Sequence, residues 1–323
     1  MVVGSNSEMW VFGANAASTP LSPQPRRYRM AGVEIASQLS LPTALAGGDT
    51  TADLVIRLRP LPDRLATPLA SGTGWSLDHR DFLLELDGIA RIRVRDGREI
   101  AVDPAPGTAA DDAAAFAVGT GLGVTLLQRG VLPLHAAAVG HRGRAVLLCG
   151  VSGAGKSTLA GALCRAGCDF LADDVAALAA SVDGPPVVQP DGRALRLHPE
   201  SIAALDLAAR AGSPVRPAVA KRHVAPPTAV PGPLPIGAVF VLAPATPARP
   251  AGITAMPVLA AAQALLRHTF RRGLALMIAP AVLTREIATL ADSVPVATLV
   301  RPQRFADLDA TAAAVLAHLD AAW

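Results

Sequence analysis

The sequence is short of aromatic residues and carries little net charge. Aromatic side chains make up only 3% of the 323 residues, so few rings are available for the base stacking by which proteins hold single-stranded nucleic acids. The formal net charge is only +3, and no long run of lysine and arginine occurs. We therefore expect no nucleic acid among the partners of this chain.

Cysteine and uninterrupted apolar stretches are also scarce. The three cysteines, Cys149, Cys164 and Cys168, form an odd cluster, which is not typical of the disulfide framework of a secreted protein. Residues 1–18 lack a basic start followed by an apolar stretch, and no segment offers the roughly 20 apolar residues of a membrane helix. We expect a cytoplasmic protein with no signal peptide and no membrane partner.

Lysine is the rarest basic residue. Of 29 basic residues only Lys156 and Lys221 are lysines, and the others are arginines. A lysine that occurs despite this bias is a candidate for a position that needs a compact, mobile ammonium group. Lys156 fits this idea because it lies in a glycine-rich motif. Lys221 is either a second such position or an ordinary surface residue.

The first part of the chain has strand character but no chemical motif. Residues 1–27 contain a proline-rich segment that predicts an irregular lead-in. Residues 52–58 alternate between apolar and polar side chains, which is typical of a strand. Residues 82–102 predict paired strands with turns at Asp87-Gly88 and Asp96-Gly97. Residues 111–130 predict a helix. We expect a small N-terminal mixed α/β region over 1–125, and its position in the chain suggests a role in substrate recognition.

The second part, residues 126–323, alternates between predicted strands and helices, which is typical of an α/β fold. Strands are predicted over 144–150, 168–174, 236–245 and 294–300, and helices over 156–167, 258–271, 280–291 and 305–319. Gly167 is expected to end the first of these helices.

The segment GVSGAGKS fits the phosphate-binding pattern G-x-x-x-x-G-K-[ST], and a strand precedes it and a helix follows it. Glycines allow successive backbone N–H groups to point inward, and the helix N-terminus adds partial positive charge. Lys156 is expected to contact the terminal phosphates of a bound nucleotide, and the Ser157 hydroxyl can bind Mg²⁺. The predicted nucleotide-binding residues are Gly150, Val151, Ser152, Gly153, Ala154, Gly155, Lys156, Ser157 and Thr158.

Two carboxylates and a histidine flank this loop in sequence. Asp173 and Asp174 follow the next predicted strand, which would bring both to the rim of the loop if it lay beside the loop strand. One of them could instead cap a following helix. His135 precedes the loop strand, and a hairpin turning at residues 141–143 would return it to the loop, where it could tune an aspartate.

The segments LHAAAV, GVSGAGKST and FLADD, in this order and spacing, resemble the catalytic domain of HPr kinase/phosphorylase. Residues 131–323 look more like the shorter HPr-kinase-like proteins associated with lasso-peptide biosynthesis. This resemblance implies a P-loop kinase domain of the HPr-kinase/PEP-carboxykinase-like type over 126–323. It also implies a kinase that acts on a serine of a precursor peptide, and association into homo-oligomers.

The resemblance also implies roles for individual residues. ATP is held by Lys156 and the loop, Mg²⁺ by Ser157 and Asp173, and Asp174 is the favoured general base, with support from Asp173 and His135. The glutamate-arginine-glycine signature of the bifunctional enzymes is missing, which argues for a plain kinase. Glu200 is then the nearest acidic candidate for a further metal contact. The phosphoryl group in transfer is expected to be stabilised by Lys221 or Arg222, unless these belong to a solvated patch.

Three functions remain open from the sequence. The first is an ATP/Mg²⁺-dependent kinase that phosphorylates a serine hydroxyl of a peptide or small protein, such as a lasso-peptide precursor near its C-terminus. The second is a small-molecule kinase, for which residues 267–272 are the one arginine-dense candidate for a lid. The third is a non-catalytic nucleotide-binding module, which would need the loop but not the aspartate pair.

Overall fold

The computed structural model describes residues 24–43, 48, 50–181, 184–216 and 219–323. Most of the irregular lead-in predicted over 1–27 lies outside these ranges. The described residues form a mixed α/β structure with several sheets. Within these ranges no single helix combines the length and the apolar character needed to cross a bilayer. One helix pair, Arg272–Ile278 with Pro280–Ser293, meets both requirements jointly and is bent by 116°.

The first sheet has eight strands in the order β1-β2-β3-β8-β7-β6-β5-β4. Its strands are β1 (Arg26–Met30), β2 (Val33–Ser37), β3 (Leu54–Leu58), β4 (Ala70–Gly72), β5 (Trp75–Asp78), β6 (Asp81–Leu86), β7 (Ala90–Arg95) and β8 (Glu99–Pro104). The predicted hairpins are confirmed, because β6, β7 and β8 pair antiparallel in sequence order. At the second turn Asp96 and Gly97 both have positive φ, 55° and 62°, as a type I′ turn requires.

A continuous helical segment follows the first sheet. It consists of α1 (Ala110–Phe116), a π-helix (Ala117–Gly121) and α2 (Leu122–Gln128). Small residues allow close packing here, since a Cβ on Gly123 would overlap with the ring of Phe270. This segment shares one core with the first sheet and with Val175 and Ala177. The predicted boundary between residues 125 and 126 lies inside α2.

The remaining strands are β9 (Leu132–Leu134), β10 (Ala136–His141), β11 (Arg144–Cys149), β12 (Asp169–Ala172), β13 (Ala176–Ala179), β14 (Val187–Gln189), β15 (Leu195–Leu197), β16 (Ala211–Arg216), β17 (Val219–Val224), β18 (Leu234–Pro244), β19 (Gly252–Ala255) and β20 (Val296–Arg301). The helices are α3 (Lys156–Arg165), α4 (Pro199–Ala204), α5 (Val258–Arg267), α6 (Arg272–Ile278), α7 (Pro280–Ser293) and α8 (Leu308–Ala322), with 3₁₀ turns at Ala208–Arg210 and Phe305–Asp307.

The second sheet is centred on β11. Its main part runs β12-β10-β11-β18-β20-β19, and β14, β13 and β9 continue from β18. The strands β11, β18 and β20 are parallel, while β10 is antiparallel to both β11 and β12. It follows that β12 points in the same direction as β11. The carboxyl ends of β11, β12, β18 and β20 therefore meet at one edge of the sheet.

Both faces of β11 are covered by helices, which explains its uninterrupted apolar sequence. Val146 and Leu148 pack with residues of α3 and α8 on one face, while Leu147 and Cys149 pack with residues of α5 and α7 on the other. All three cysteines are free and buried. A separate three-stranded sheet, β15-β17-β16, follows β14 in the chain.

The predicted neighbour relation between β12 and the loop strand was wrong, because β10 lies between them. A two-residue turn at Arg142 and Gly143, with φ of 46° and 75°, folds β10 directly back onto β11. β10 therefore occupies this side of β11, and β12 adds to the outside of β10. Since two antiparallel steps restore the original direction, β12 still ends at the same edge as β11.

Candidate active site

The phosphate-binding loop connects the end of β11 to the start of α3. Gly153 and Gly155 adopt left-handed backbone conformations, with φ of 79° and 83°, which glycine reaches without strain. Gly155 has a second reason to be glycine, because a Cβ there would overlap with the guanidinium group of Arg301. The helix begins at Lys156, so the N-terminus of α3 points its free N–H groups at the loop.

The Lys156 side chain folds back over this loop. Its Nζ donates to the carbonyl oxygens of Gly150 at 2.8 Å and Val151 at 3.2 Å, and lies 3.2 Å from Nε2 of His135. Burial lowers the pKa of the Lys156 ammonium, and the negative charge of Asp173 opposes this effect. The lysine is thus held at the point where the terminal phosphates of a nucleotide would bind.

His135 is neutral and its tautomer is set by its two neighbours. Burial, together with the positive charge of Lys156, lowers the pKa of His135 to about 4. The Lys156 ammonium can only donate, so Nε2 of the imidazole accepts and Nδ1 carries the proton. Nδ1 then donates to the backbone carbonyl of Asp174 at 2.9 Å and lies 3.3 Å from its carboxylate. His135 therefore links Lys156 to Asp174, as the predicted hairpin required.

Asp173 is buried against the loop, with 2% of its surface exposed. One carboxylate oxygen accepts from the Ser157 hydroxyl at 2.7 Å, and the other accepts from the backbone N–H of Arg196 at 2.9 Å. The Ser157 and Asp173 oxygens are thus adjacent, and hard oxygen donors are the ligands that Mg²⁺ prefers. Ser157 and Asp173 are therefore the residues that could hold Mg²⁺.

Glu200 lines the same cavity from the first turn of α4 and is exposed. The described part of the chain contains no group of three or more histidine, cysteine, aspartate or glutamate side chains placed to hold a metal ion. Ser157 and Asp173 are the residues whose oxygens lie side by side. The metal contact from Glu200 stays a prediction.

Asp174 faces the cavity in a strained backbone conformation. Its φ is 77°, a value that non-glycine residues seldom adopt and that occurs often at functional sites. The side chain is about one-third exposed and lies between Nη2 of Arg196, at 2.5 Å, and Nδ1 of His135. Asp173 and Asp174 therefore have different environments: the first is buried against Ser157 and the second is open to an incoming group.

The loop, the two aspartates and the imidazole line one cavity of about 590 Å³. Its wall includes most predicted site residues: His135, Ser152, Gly153, Gly155, Lys156, Ser157, Thr158, Asp173, Asp174, Glu200 and Lys221. Five cationic side chains and three carboxylates line it, a balance that suits a polyanion. The remaining loop residues contribute backbone carbonyls. Those of Gly150 and Val151 accept from Lys156, and that of Ala154 accepts from Arg301.

The structure separates the predicted pair Lys221 and Arg222. Successive side chains on β17 point to opposite faces, so Lys221 reaches the cavity and Arg222 does not. Arg222 is exposed and donates through Nε to the carbonyl of Gly212 at 2.9 Å. Arg222 therefore lies outside the cavity, and the structure does not support its predicted contact to the phosphoryl group in transfer. Lys221 remains the candidate for that contact.

Two arginines at this site were missed at the sequence level. Arg196 on β15 binds both aspartates, through its backbone N–H to Asp173 and its side chain to Asp174. Arg301, at the end of β20, is 6% exposed, and its Nη2 donates to the carbonyl of Ala154 at 2.6 Å. Burial lowers the pKa of Arg301. The one local feature that could have identified Arg301 as a site residue is its position at the end of a predicted strand. No local feature identifies Arg196 as a site residue.

No protein-family model and no curated protein matches this chain. Among solved structures, the chain is similar to one described as the HPr(Ser) kinase/phosphatase from Coxiella burnetii. The identity is 13%, the match covers 59% of this chain and 99% of that one, and the TM-score is 0.31. A match at this identity and TM-score carries no assignment of activity.

Proposed function

We propose that this chain is an ATP- and Mg²⁺-dependent kinase that transfers the γ-phosphoryl group to a serine hydroxyl of a peptide or small protein. One observation carries the proposal. The open carboxylate of Asp174 lies beside His135, and His135 in turn contacts the loop lysine, Lys156. A module that only bound nucleotide would need the loop but not a second, accessible carboxylate at its rim.

The phosphate-binding residues have distinct tasks in this proposal. The loop N–H groups and the N-terminus of α3 hold the phosphate oxygens, and Lys156 places a full charge on the terminal ones. Ser157 and Asp173 would hold Mg²⁺, which supplies charge neutralisation at the phosphates when bound. Lys221 and Arg196 line the same cavity and would stabilise negative charge on the phosphoryl group in transfer.

Asp174 is the proposed general base. It accepts the proton of the acceptor hydroxyl while that oxygen forms a bond to the γ-phosphorus, and ADP leaves with the electrons of the broken P–O bond. The ion pair with Arg196 fixes the carboxylate, and Nδ1–H of His135 donates to the backbone carbonyl of the same residue. Because this hydrogen bond holds the Asp174 backbone, the imidazole would act as a positioning group, which is the assisting role expected for it.

The segment at residues 267–272 does not support the small-molecule alternative. None of its arginines lines the cavity, and Arg271 donates instead to the Thr120 hydroxyl at 3.0 Å. A peptide acceptor, and a lasso-peptide precursor in particular, remains our proposal from the resemblance of the motifs. The first sheet is the proposed recognition surface for such a peptide.

The test is transfer of label from γ-³²P-ATP in the presence of Mg²⁺. A panel of serine-containing peptides, including peptides that end in serine, is compared with the same peptides carrying alanine and with a set of small alcohols. We expect label on the serine peptides alone. Label only on a small alcohol would mean that the acceptor is a small molecule and not a peptide. Tight ATP binding with no transfer to any acceptor would contradict the kinase proposal.

A further inference from the structure

An exposed aromatic ring lies in the wall of the cavity away from the aspartates. Phe305 begins the 3₁₀ turn that leads into α8, and 48% of its surface is exposed. It shares the cavity with the phosphate-binding loop, and its cavity neighbours include Gln303, Arg304 and Leu308. In a chain with only seven phenylalanines, one tyrosine and three tryptophans, a ring left open beside a phosphate loop needs a physical reason.

The sheet order puts this ring on the opposite side of the loop from the catalytic groups. The loop follows β11, and Asp173 and Asp174 follow β12, two strands away on one side. Phe305 follows β20, which is two strands away on the other side. A nucleotide whose terminal phosphate lies at Lys156 and Asp173 can therefore extend its other end along the loop toward Phe305.

The segment that carries Phe305 is fastened to the loop and to itself. Arg301, at the end of β20, binds the carbonyl of Ala154 in the loop. Arg304 pairs with both carboxylate oxygens of Asp307, at 2.7 and 3.2 Å. Leu308 is buried at the start of α8. The ring is therefore presented on a backbone whose distance from the phosphate loop is fixed, as a preorganised binding surface requires.

We propose that Phe305 is the stacking platform for the purine base of the bound nucleotide, with the Gln303 amide at the edge of that base. A base offers its π-face to an aromatic ring, and an amide can both donate to and accept from an adenine edge. This inference rests on the proposed function, because it assigns the far end of the same nucleotide.

The experiment compares two probes by calorimetry in Mg²⁺: ATP, which has a base, and inorganic tripolyphosphate, which has none. We expect Phe305→Ala to weaken ATP binding by about tenfold, the usual size of a stacking contact, and to leave tripolyphosphate binding within about twofold. Phe305→Tyr should keep the wild-type ATP affinity. Leu259→Ala, which truncates another exposed side chain, should change neither affinity. Gln303→Ala should lower the preference for ATP over GTP.

Two results would overturn the assignment while leaving the phosphate site intact. One is an unchanged ATP affinity in Phe305→Ala. The other is an equal loss of ATP and tripolyphosphate binding, which would indicate that the ring supports the loop and not a base. If the wild type bound neither probe, the proposed function would fail together with the base site, and this pattern is distinct from the other two.

Discussion

The two sheets differ in where they place charge. Among the described residues of the first sheet, β1–β8, no charged side chain is buried. The described residues of the second part include six that are buried and charged: Lys156, Asp173, Asp191, Arg193, Glu286 and Arg301. Burying a charge is costly unless it is paired. Three of the six, Lys156, Asp173 and Arg301, line the cavity, and Asp191 accepts a hydrogen bond from the backbone of Asp173. Buried charge therefore marks the edge that carries the candidate site.

The first sheet shows the ordinary solution for a charged strand. Arg91, Arg93 and Arg95 alternate along β7, so they lie on one face while the apolar residues between them fill the core. Asp81 on the neighbouring strand pairs with Arg93 at 2.5 Å and with Arg95 at 3.5 Å. These pairs lie on the surface of the sheet, whereas buried charges of the second part line a cavity or contact its lining residues.

The largest effect is expected from Lys156→Ala. The ammonium is the one full charge that the loop itself supplies to the terminal phosphates, and loss of one such contact costs about 10³-fold in turnover. Phosphoryl transfer measured with labelled ATP should fall by about this factor. The matched control is Arg165→Ala, at the far end of the same helix, which should transfer at the wild-type rate. A Lys156→Ala protein with more than a tenth of wild-type turnover would contradict the role of the lysine.

Arg193→Met should cause the largest loss of stability. Arg193 is the hydrogen-bonded partner of Asp191, at 2.7 Å, and both are buried. Removing one partner leaves a buried charge without compensation, which costs about 3–5 kcal/mol. Urea unfolding measures the change. The double replacement Asp191→Leu with Arg193→Met should recover most of this loss, and no recovery would mean that the pair matters for another reason.

Acidification should destabilise the second part of the chain more than the first. Burial lowers the pKa of His135, His223 and His268 to about 4, against an ordinary 6.5. Below pH 6.5 the unfolded chain binds protons that the folded chain does not, so the free energy of unfolding should fall from pH 6.5 toward pH 4. Hydrogen exchange at pH 5 and 7 would locate the loss, and His223→Gln should flatten the pH profile. An unfolding free energy that is equal at pH 7 and pH 5 would contradict this.

Arg93→Met should have the smallest effect. The Arg93–Asp81 pair lies on a strand face away from the cavity, and a pair of this kind contributes about 1 kcal/mol. Urea unfolding should show a loss of this size, while the rate of phosphoryl transfer stays unchanged. A transfer rate that dropped severalfold would place the proposed peptide-recognition surface of the first sheet on the strand face that carries Arg93.

The parts of the site that the sequence predicted are those held by local structure. The glycine pattern with its strand and helix identifies the loop, and the short turn after His141 predicts the hairpin that returns His135 to Lys156. Such features depend on residues that are close together in the chain, so they can be predicted without knowledge of the fold.

The parts that could not be predicted depend on long-range pairing. Arg196 lies on a three-residue strand whose partners are 25 to 29 residues further along, as in the register Arg196↔His223, so no local period marks it. Arg301 meets the loop only because β20 and β11 both flank β18. The alternation of β17, which separates Lys221 from Arg222, was also hidden because this strand was not predicted at all.

The proposed mechanism depends on Asp174 taking the proton of the acceptor hydroxyl next to a nucleotide held by the loop. The decisive measurement is single-turnover transfer by Asp174→Asn, with ATP affinity measured in parallel. We predict a rate lower by about 10²–10⁴-fold at nearly unchanged ATP affinity, because asparagine keeps the shape but not the basicity of the carboxylate. Equal rates of transfer by the variant and the wild type would contradict the account.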